Sequence, residues 1–452
     1  MKGQVAGWVA SAAEARLALG DASAAGPLRA AIDTREIEPG DLFVGLRGAH
    51  RDGGELAGEA LRAGAWGVLV APEHGERALA AAAAAAGGQG AAGGGAVVLT
   101  APDPLLALQR LARAWRRELG CKVVAVTGST GKTSTKDILA ALLSPLLVTH
   151  ANRANLNTEI GLPLTILEAA AGTEAMVLEL AMRGEGQIAE LVGVAEPDVG
   201  VIINVGPVHL ELLGTVERVA AAKGELIRDL RPGAACVVPA HEPLLDAHLR
   251  DDLDTIGFGP GGDISLLGFD GDGARIDARG ETIELSLPYS EPYNLLNTLA
   301  AVGAATALGV TPRGPVEVRF SPLRGEVVEL PGGVTVVNDC YNANPMSMRA
   351  ALQHLAETPA ERRLAVLGPM AELGPAGPEL HREAGREAAA LGIDVLVTVG
   401  EEAVEYARGF DGETHAAATP EEAGALLSEL ASPGDRVLVK GSRSAGLERV
   451  VA

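Results

Sequence analysis

Aromatic residues make up only 3% of this 452-residue chain, and the shortage sits beside an abundance of alanine and glycine. That balance points to genomic base composition rather than to function. Cysteines number three, Cys121, Cys236 and Cys340, far apart and with no C-x-x-C pair. Such spacing argues against a zinc site, fits a reducing compartment, and leaves small buried thiols as the expectation. Positive charge is also short: Lys+Arg 37 against Asp+Glu 59 gives a net charge of -22. Phosphate backbones and anionic lipids need concentrated Lys and Arg, so a general nucleic-acid or membrane surface is disfavoured, although local basic pockets are not. No apolar run is long enough to span a bilayer, which takes about 18 residues. The opening MKGQVAGWVASAAEARLALG meets Glu14 and Arg16 too soon for a signal peptide and reads as an amphipathic helix. The expectation is a soluble, cytoplasmic protein with no nucleic-acid partner and no stable membrane association.

What is present is long enough for two or three cores, because single cores stop growing near ~250–300 residues. Up to about residue 100 the signals are a strand in Asp41 to Leu46, a helix from Gly58 to Gly67 and a strand from Val68 to Ala71. The tract Ala80 to Gly95 is low-complexity, with alanines that extend a helix and glycines that form a mobile loop. A second unit opens with the β-branched run Lys122 to Gly128, followed by a helix from Lys132 to Leu143. Ala175 to Leu180 and Val199 to Gly206 are continuous apolar runs of the kind found in parallel sheets covered on both faces. Asp263 to Leu287 reads as antiparallel hairpins added to that sheet, and a helix from Asn294 to Gly309 closes the unit. Pro312, Gly314 and Pro315 suggest a linker. Beyond it strands and helices alternate regularly, which predicts a doubly wound, Rossmann-like domain with a mostly parallel sheet. No G-x-G-x-x-G lies at its strand ends. The predicted fold is therefore α/β with three domains, at 1–104, 105–313 and 314–452.

The chemistry centres on VTGSTGKTSTKD, Val126 to Asp137. Its glycines are too close for the common phosphate-loop pattern, whose first glycine would fall at Val126. Even so, strand, glycine turn and helix are the context a phosphate loop needs. Gly128, Ser129, Thr130 and Gly131 would offer backbone N–H groups at a positive helix end, Lys132 would neutralise phosphate, and Thr133 would join Mg²⁺ coordination, with Ser134 alongside. A bare G-K-T is about as often a glycine turn beside a surface lysine. Glu179, ending one apolar strand, is a credible Mg²⁺ ligand. His209, just after another, is less usual for a cation that prefers oxygen. Lys223 reads by itself as a solvated helix lysine.

Taken together these stretches resemble the Mur ligases, the ATP-dependent amide-forming enzymes of peptidoglycan synthesis. The shortened loop TGSTGKT carries the resemblance, with Asn155 to Leu167, Val177 to Met182, Asn204 to Leu226, Tyr293 to Ala301, Asn338 to Met348 and Lys440 to Glu448. Asp33 to Gly48 is similar to the family's UDP-sugar-binding domain, so the likeness covers nearly the whole chain. NDCYNANPMSM points to the member that joins D-alanyl-D-alanine to UDP-N-acetylmuramoyl-tripeptide. The resemblance implies ATP and Mg²⁺ as cofactors and an acyl-phosphate intermediate; a monomer is expected, although the sequence itself does not read out the oligomeric state. It also implies Lys132, Lys223 and His209 as catalytic residues. Thr133, Glu179, His209 and a carbamylated Lys223 would serve the metal. Asn297 would lie on the adenine side, with Arg324 and Asp339 reaching ATP from the C-terminal domain. Asn155 and Asn157 would meet the muramoyl substrate, and Asp33, Thr34 and Arg35 its nucleotide end. Tyr341, Asn342, Asn344 and Ser347 would sit near the incoming dipeptide, although N-A-N-P is also good turn chemistry.

Four positions depart from the family pattern: Gly54 where histidine is usual, Thr158 for asparagine, Gln187 for glutamate and Pro369 for aspartate. Lysine and diaminopimelate both stay open as the tripeptide's third residue. Three rival readings also stand: the preceding ligase, whose D-N-P-R motif is absent; a P-loop kinase or motor-type ATPase; and a non-catalytic relative. The second leaves Lys223 and the third domain without a role, and intact loop and metal residues oppose the third.

Overall fold

Strand Lys122–Thr127 is apolar throughout its interior because both of its faces are covered. Val123 and Ala125 point into one core, Val124 and Val126 into another, and all four are fully buried. The computed structural model describes residue 1 and residues 3–86, 95–330 and 332–451. It is an α/β chain built on three sheets, of five, ten and six strands.

The first sheet comprises Arg16–Leu19, Val97–Thr100, Gly67–Val70, Leu42–Val44 and Ala30–Ala31 in spatial order, with Arg16–Leu19 antiparallel to the rest. The expected N-terminal helix spans Ala6–Ala12, and the next one is shorter than its pattern, Ala57–Arg62. A helix runs over Gly75–Ala86, and residues 87–94 of the alanine-glycine tract lie outside the described residues.

The central sheet has a parallel core in the order Asp254–Phe258, Ala235–Pro239, Val199–Ile202, Lys122–Thr127, Ala175–Glu179 and Thr149–Ala151. Strands Ile264–Asp270, Gly273–Ala278 and Glu281–Ser286 extend it as the antiparallel hairpins read from sequence. Helices Lys132–Leu143 and Pro292–Ala307 cover one face, and Pro104–Leu119, Gly161–Glu168, Gln187–Ala195 and Val216–Asp229 the other. One correction concerns the linker. Gly314–Pro315 still pairs with Leu285 and Ser286, and Val316 is buried in the same core, so the chain leaves this unit after Phe320 rather than at 313.

In the third sheet, strands Val334–Asp339, Arg436–Lys440, Arg363–Leu367, Val395–Val399 and Glu413–Ala417 run parallel, and Glu326–Leu330 adds an antiparallel edge. The two edge strands, and the helix Pro420–Leu430 after the second, have no counterpart in the sequence reading. Helices Gly377–Ala390 and Val404–Gly409 pack backbone to backbone here: a Cβ on Gly385 would lie 2.0 Å from the Tyr406 carbonyl oxygen. Main chain cannot swing aside as a side chain does. Gly385→Ala is therefore expected to lower stability by roughly 1–3 kcal/mol through overpacking. Gly193→Ala, inside helix Gln187–Ala195 with nothing near its Cβ, should instead gain about 0.5–1 kcal/mol. Urea unfolding midpoints of the two variants on either side of the parent would bear this out.

Candidate active site

The phosphate-loop strand Lys122–Thr127 lies between its two parallel neighbours, with Val126 opposite Glu179 and Thr127 opposite Ile202. Their carboxyl ends share one edge, where open α/β sheets collect ligands. Asn204 shapes the loop: its Oδ1 accepts from the Ser129 and Thr130 N–H groups, both at 3.0 Å, and its Nδ2 donates to the Thr130 carbonyl at 3.2 Å. Ser129 Oγ accepts from the Gly206 N–H at 2.9 Å. Gly131 has φ +79°, and a Cβ there would stand 2.6 Å from Asn297 Oδ1, so glycine is required both by the turn and by this neighbour. Helix Lys132–Leu143 begins at Gly131 without a side-chain cap. Its first N–H groups and positive dipole end thus remain available to an anion. Half-buried Ser134 follows on the first turn.

Glu179 is buried and its carboxylate is fully engaged. Oε2 accepts from Thr133 Oγ1 at 2.7 Å, Oε1 from Asn157 Nδ2 at 2.8 Å, and the Glu179 N–H donates to Asn152 Oδ1 at 2.6 Å. Asn157, expected at the substrate, is thus a partner of this carboxylate. The Lys132 ammonium donates to the Gly128 carbonyl at 2.9 Å. Its pKa is lowered chiefly by burial, while Glu179 opposes the shift and Arg324 adds to it. Lys223 is not the solvated helix lysine of the plain reading: it is 1% exposed. Burial first, then the charge of Lys132, hold its pKa well below the ordinary lysine value, favouring the uncharged amine.

The C-terminal unit reaches this edge with several groups. Arg324 lies over the Tyr341 ring, 4.1 Å from its centroid, and its Nε is buried without a partner among the described residues. Asn344 Nδ2 donates to the Ser129 carbonyl at 3.4 Å. Asn344 and Ser347 also form a capping box on helix Pro345–Glu357, so the turn chemistry of N-A-N-P is realised as well. Asp339 pairs with buried Lys440 at 2.5 Å, and Lys440 also donates to the Asn342 carbonyl at 3.1 Å. His209 meets Glu372 across the interface, Nδ1 to Oε2, at 2.5 Å. Asp339 further lines a small cavity with Tyr293 and His354.

These positions, one phosphate loop with a carboxylate beside it and cations arriving from a second unit, coincide with full-length similarity. Residues 126–305 match the Mur ligase middle domain and 323–443 the Mur ligase, glutamate ligase domain. The chain is 36% identical over 438 residues to the UDP-N-acetylmuramoyl-tripeptide--D-alanyl-D-alanine ligase of Synechocystis sp., covering 93% of this chain and 90% of that one. The chain belongs to the Mur ligase family. A ligase of the same name from Bacillus subtilis is 33% identical over 434 residues, 93% and 92% of the two chains. The structure of MurF from Acinetobacter baumannii superposes with TM-score 0.84 at 26% identity, covering 99% and 98%. MurF of Thermotoga maritima in complex with ADP gives 0.78 at 31% identity, over 94% and 96%.

Not every expected Mur ligase residue joins the cluster. Asp33, Thr34 and Arg35 lie on the N-terminal unit and bond locally, Arg35 to Asp33 and Thr34 to Glu59. Arg35 holds the Asp33 carboxyl down at about 2. Asn155 is exposed on the turn before Asn157. Sequence reasoning overlooked Asn204, Asn152, Glu372 and Lys440. Only Asn204 had a readable signal, as the first polar residue after an apolar strand. The three cysteines are buried, as expected. Among the described residues no helix is long and apolar enough to cross a membrane.

The loop bearing Glu372 is itself braced by buried His381. Its Nε2 accepts from the Met370 N–H at 2.9 Å and its Nδ1–H donates to the Gly377 carbonyl at 2.6 Å, which fixes the neutral tautomer. Burial lowers its pKa, against the Gly377 bond and the nearby Glu402 and Glu405 charges. A histidine with a lowered folded pKa contributes its full stability above the unfolded value of 6.5. That contribution is lost as pH falls from there toward the folded pKa, because the unfolded chain takes the proton first. Unfolding midpoints from pH 7.5 down to 5 should therefore decline, and His381→Gln should show a shallower decline.

Proposed function

We propose that this chain is an ATP-dependent amide ligase that joins D-alanyl-D-alanine to UDP-N-acetylmuramoyl-tripeptide, releasing ADP and phosphate. The observation that carries the reading is the junction of the phosphate loop, the Thr133–Glu179 pair and Arg324, in a chain 33–36% identical over 93% of its length to ligases of that name. A carboxylate is a poor electrophile, and phosphorylation supplies a leaving group. The tripeptide carboxylate takes the γ-phosphoryl group of ATP to give an acyl phosphate, and the dipeptide amine then attacks the carbonyl and expels phosphate. Catalysis of this kind is mostly positioning and charge neutralisation.

In this scheme the uncapped N–H groups at the start of helix Lys132–Leu143 seat the phosphates, while Asn204 shapes the loop before them, and Lys132 and Arg324 neutralise charge, one from each unit. The unpartnered Arg324 Nε fits an anionic oxygen. Thr133 and Glu179 are hard oxygen donors suited to Mg²⁺, with His209 assisting. Bound Mg²⁺ would supply charge stabilisation on the transferring phosphoryl oxygens. Asn297 beside Gly131, and Asp339 held by Lys440, are assigned to ATP. Asn155 and the Asp33–Arg35 segment are assigned to the UDP-muramoyl substrate, and Tyr341 and Asn342 to the dipeptide. The uncharged Lys223 amine is suited to add carbon dioxide and become an anionic carbamate, a form that suits a neighbour of Lys132.

ADP release with Mg-ATP, the UDP-muramoyl-tripeptide and D-alanyl-D-alanine, each omitted in turn, tests the proposal. Turnover should require both acceptors and yield a pentapeptide, and Lys132→Ala should reduce it by about 10²–10³-fold. ADP release indifferent to the dipeptide would favour the P-loop phosphotransferase instead. Separately, enzyme depleted of carbon dioxide should lose activity and regain it with bicarbonate, whereas Lys223→Ala should not respond.

A further inference from the structure

Two non-glycine residues with left-handed backbones face each other across the interface between the central and C-terminal units: His209 at φ +54° and Glu372 at φ +62°. Such conformations persist where the surroundings impose them. Here three contacts sew the segments together. His209 Nδ1 meets Glu372 Oε2 at 2.5 Å, the Glu211 N–H donates to the Glu372 carbonyl at 3.2 Å, and a Cβ at Gly374 would lie 3.0 Å from the Glu211 Cα. Arg183, from the central unit, adds a 3.3 Å ion pair to the other carboxylate oxygen.

The loop presenting Glu372 is tied to its own unit by hydrogen bonds. Gly368 N–H donates to the Lys440 carbonyl and Ser442 N–H to the Pro369 carbonyl, each at 2.9 Å. Ala371 N–H donates to Ser442 Oγ at 2.9 Å, and Tyr406 OH to the Gly368 carbonyl at 3.1 Å. A carboxylate held this firmly fixes the ring it touches. With its Nδ1 edge held by Glu372, the His209 ring is turned so that Nε2 lies on the opposite edge, the atom that a cation or its bound water would use.

We propose that Glu372 is a positioning residue for His209, supplied by the C-terminal unit, so that cation affinity at the central phosphate loop depends on contact between the two units. This rests on the reading of His209 as part of the metal site. Arg183 is the second anchor, keeping the carboxylate turned toward the ring. A central unit swung away from its neighbour would retain Thr133 and Glu179 but leave His209 without its partner.

The test is Mn²⁺ affinity, read by electron paramagnetic resonance on the full chain with a non-hydrolysable ATP analogue. Glu372→Ala should weaken Mn²⁺ binding by about 10–100-fold, the usual penalty for losing the partner of a ligating histidine. Glu372→Gln, whose amide oxygen still accepts from Nδ1, should keep most of the affinity and controls for folding. In a His209→Ala background, Glu372→Ala should change nothing more. An unchanged affinity in Glu372→Ala would overturn the inference, as would an equal loss in the His209→Ala background or a Glu372→Gln loss as large as that of alanine. If His209→Ala itself leaves Mn²⁺ affinity intact, the metal assignment of His209 falls with it, and the two failures are thereby told apart.

Discussion

Burying the Glu179 carboxylate beside the phosphate loop is the constraint around which the site is arranged. A buried ion is tolerated only when its oxygens are satisfied, and an unpaired one would be expensive enough to unfold a marginal domain. Thr133 and Asn157 meet the two oxygens, and Asn152 takes the backbone N–H of the same residue. Because Thr133 opens the loop helix, the first of these bonds ties strand end to helix start. Asn152 is in turn fixed by its Nδ2 bond to the Leu156 carbonyl at 2.6 Å, and buried Lys136 donates to its carbonyl at 2.9 Å. The turn 152–157 is thus shaped by the carboxylate as much as it shapes the carboxylate.

Cations then accumulate around a single anion. Burial and then the charge of Lys132 hold down the protonation of Lys223, and Arg324, from the second unit, adds to the lowering of Lys132. Like charges brought together in a desolvated cleft repel more strongly than in water, so the cluster favours an anionic visitor over an empty cleft. Several of the bonds that join the C-terminal unit to the central one at this edge are polar. Asn344 to Ser129, His209 to Glu372 and Ser321 to Asp137, the last at 2.9 Å, are bonds that a hinge can make and break without exposing an apolar core.

The parts legible in the sequence are those written in local patterns. Continuous apolar runs revealed the buried parallel strands because both faces of each are covered, and Gly131 with Lys132 and Thr133 revealed the loop because its chemistry lies within a few residues. Lys223 was legible only through family resemblance. Its helix has the composition of a surface helix, and its burial comes from packing of the central unit rather than from its neighbours in sequence. Glu372 was not legible, since its partner lies 163 residues away and neither flank announces it. The edge strands Glu326–Leu330 and Glu413–Ala417 escaped because they are mostly exposed, with only two of five positions in each drawn toward the core. The linker was placed too early because Pro312, Gly314 and Pro315 look like a break, yet proline is tolerated at the edge of a sheet, where its missing N–H is not needed.

The departures from the family pattern illustrate how a fold absorbs substitution. Gln187 Oε1 accepts from the N–H groups of Arg183 at 2.7 Å and Gly184 at 3.2 Å, so an amide oxygen serves where a carboxylate was expected. Thr158 Oγ1 accepts from the Gly161 N–H at 3.4 Å, at the start of helix Gly161–Glu168. Pro369 gives up an N–H but still offers its carbonyl to Ser442. Gly54 is the most constrained. A Cβ there would lie 2.2 Å from the His74 ring, and His74 Nε2 stands 3.1 Å from Asp52 Oδ2. The imidazole missing at position 54 is thus replaced in space by one reaching in from another turn. Glycine at 54 and histidine at 74 form a matched pair, and a side chain restored at 54 would have to displace the ring that has taken its place.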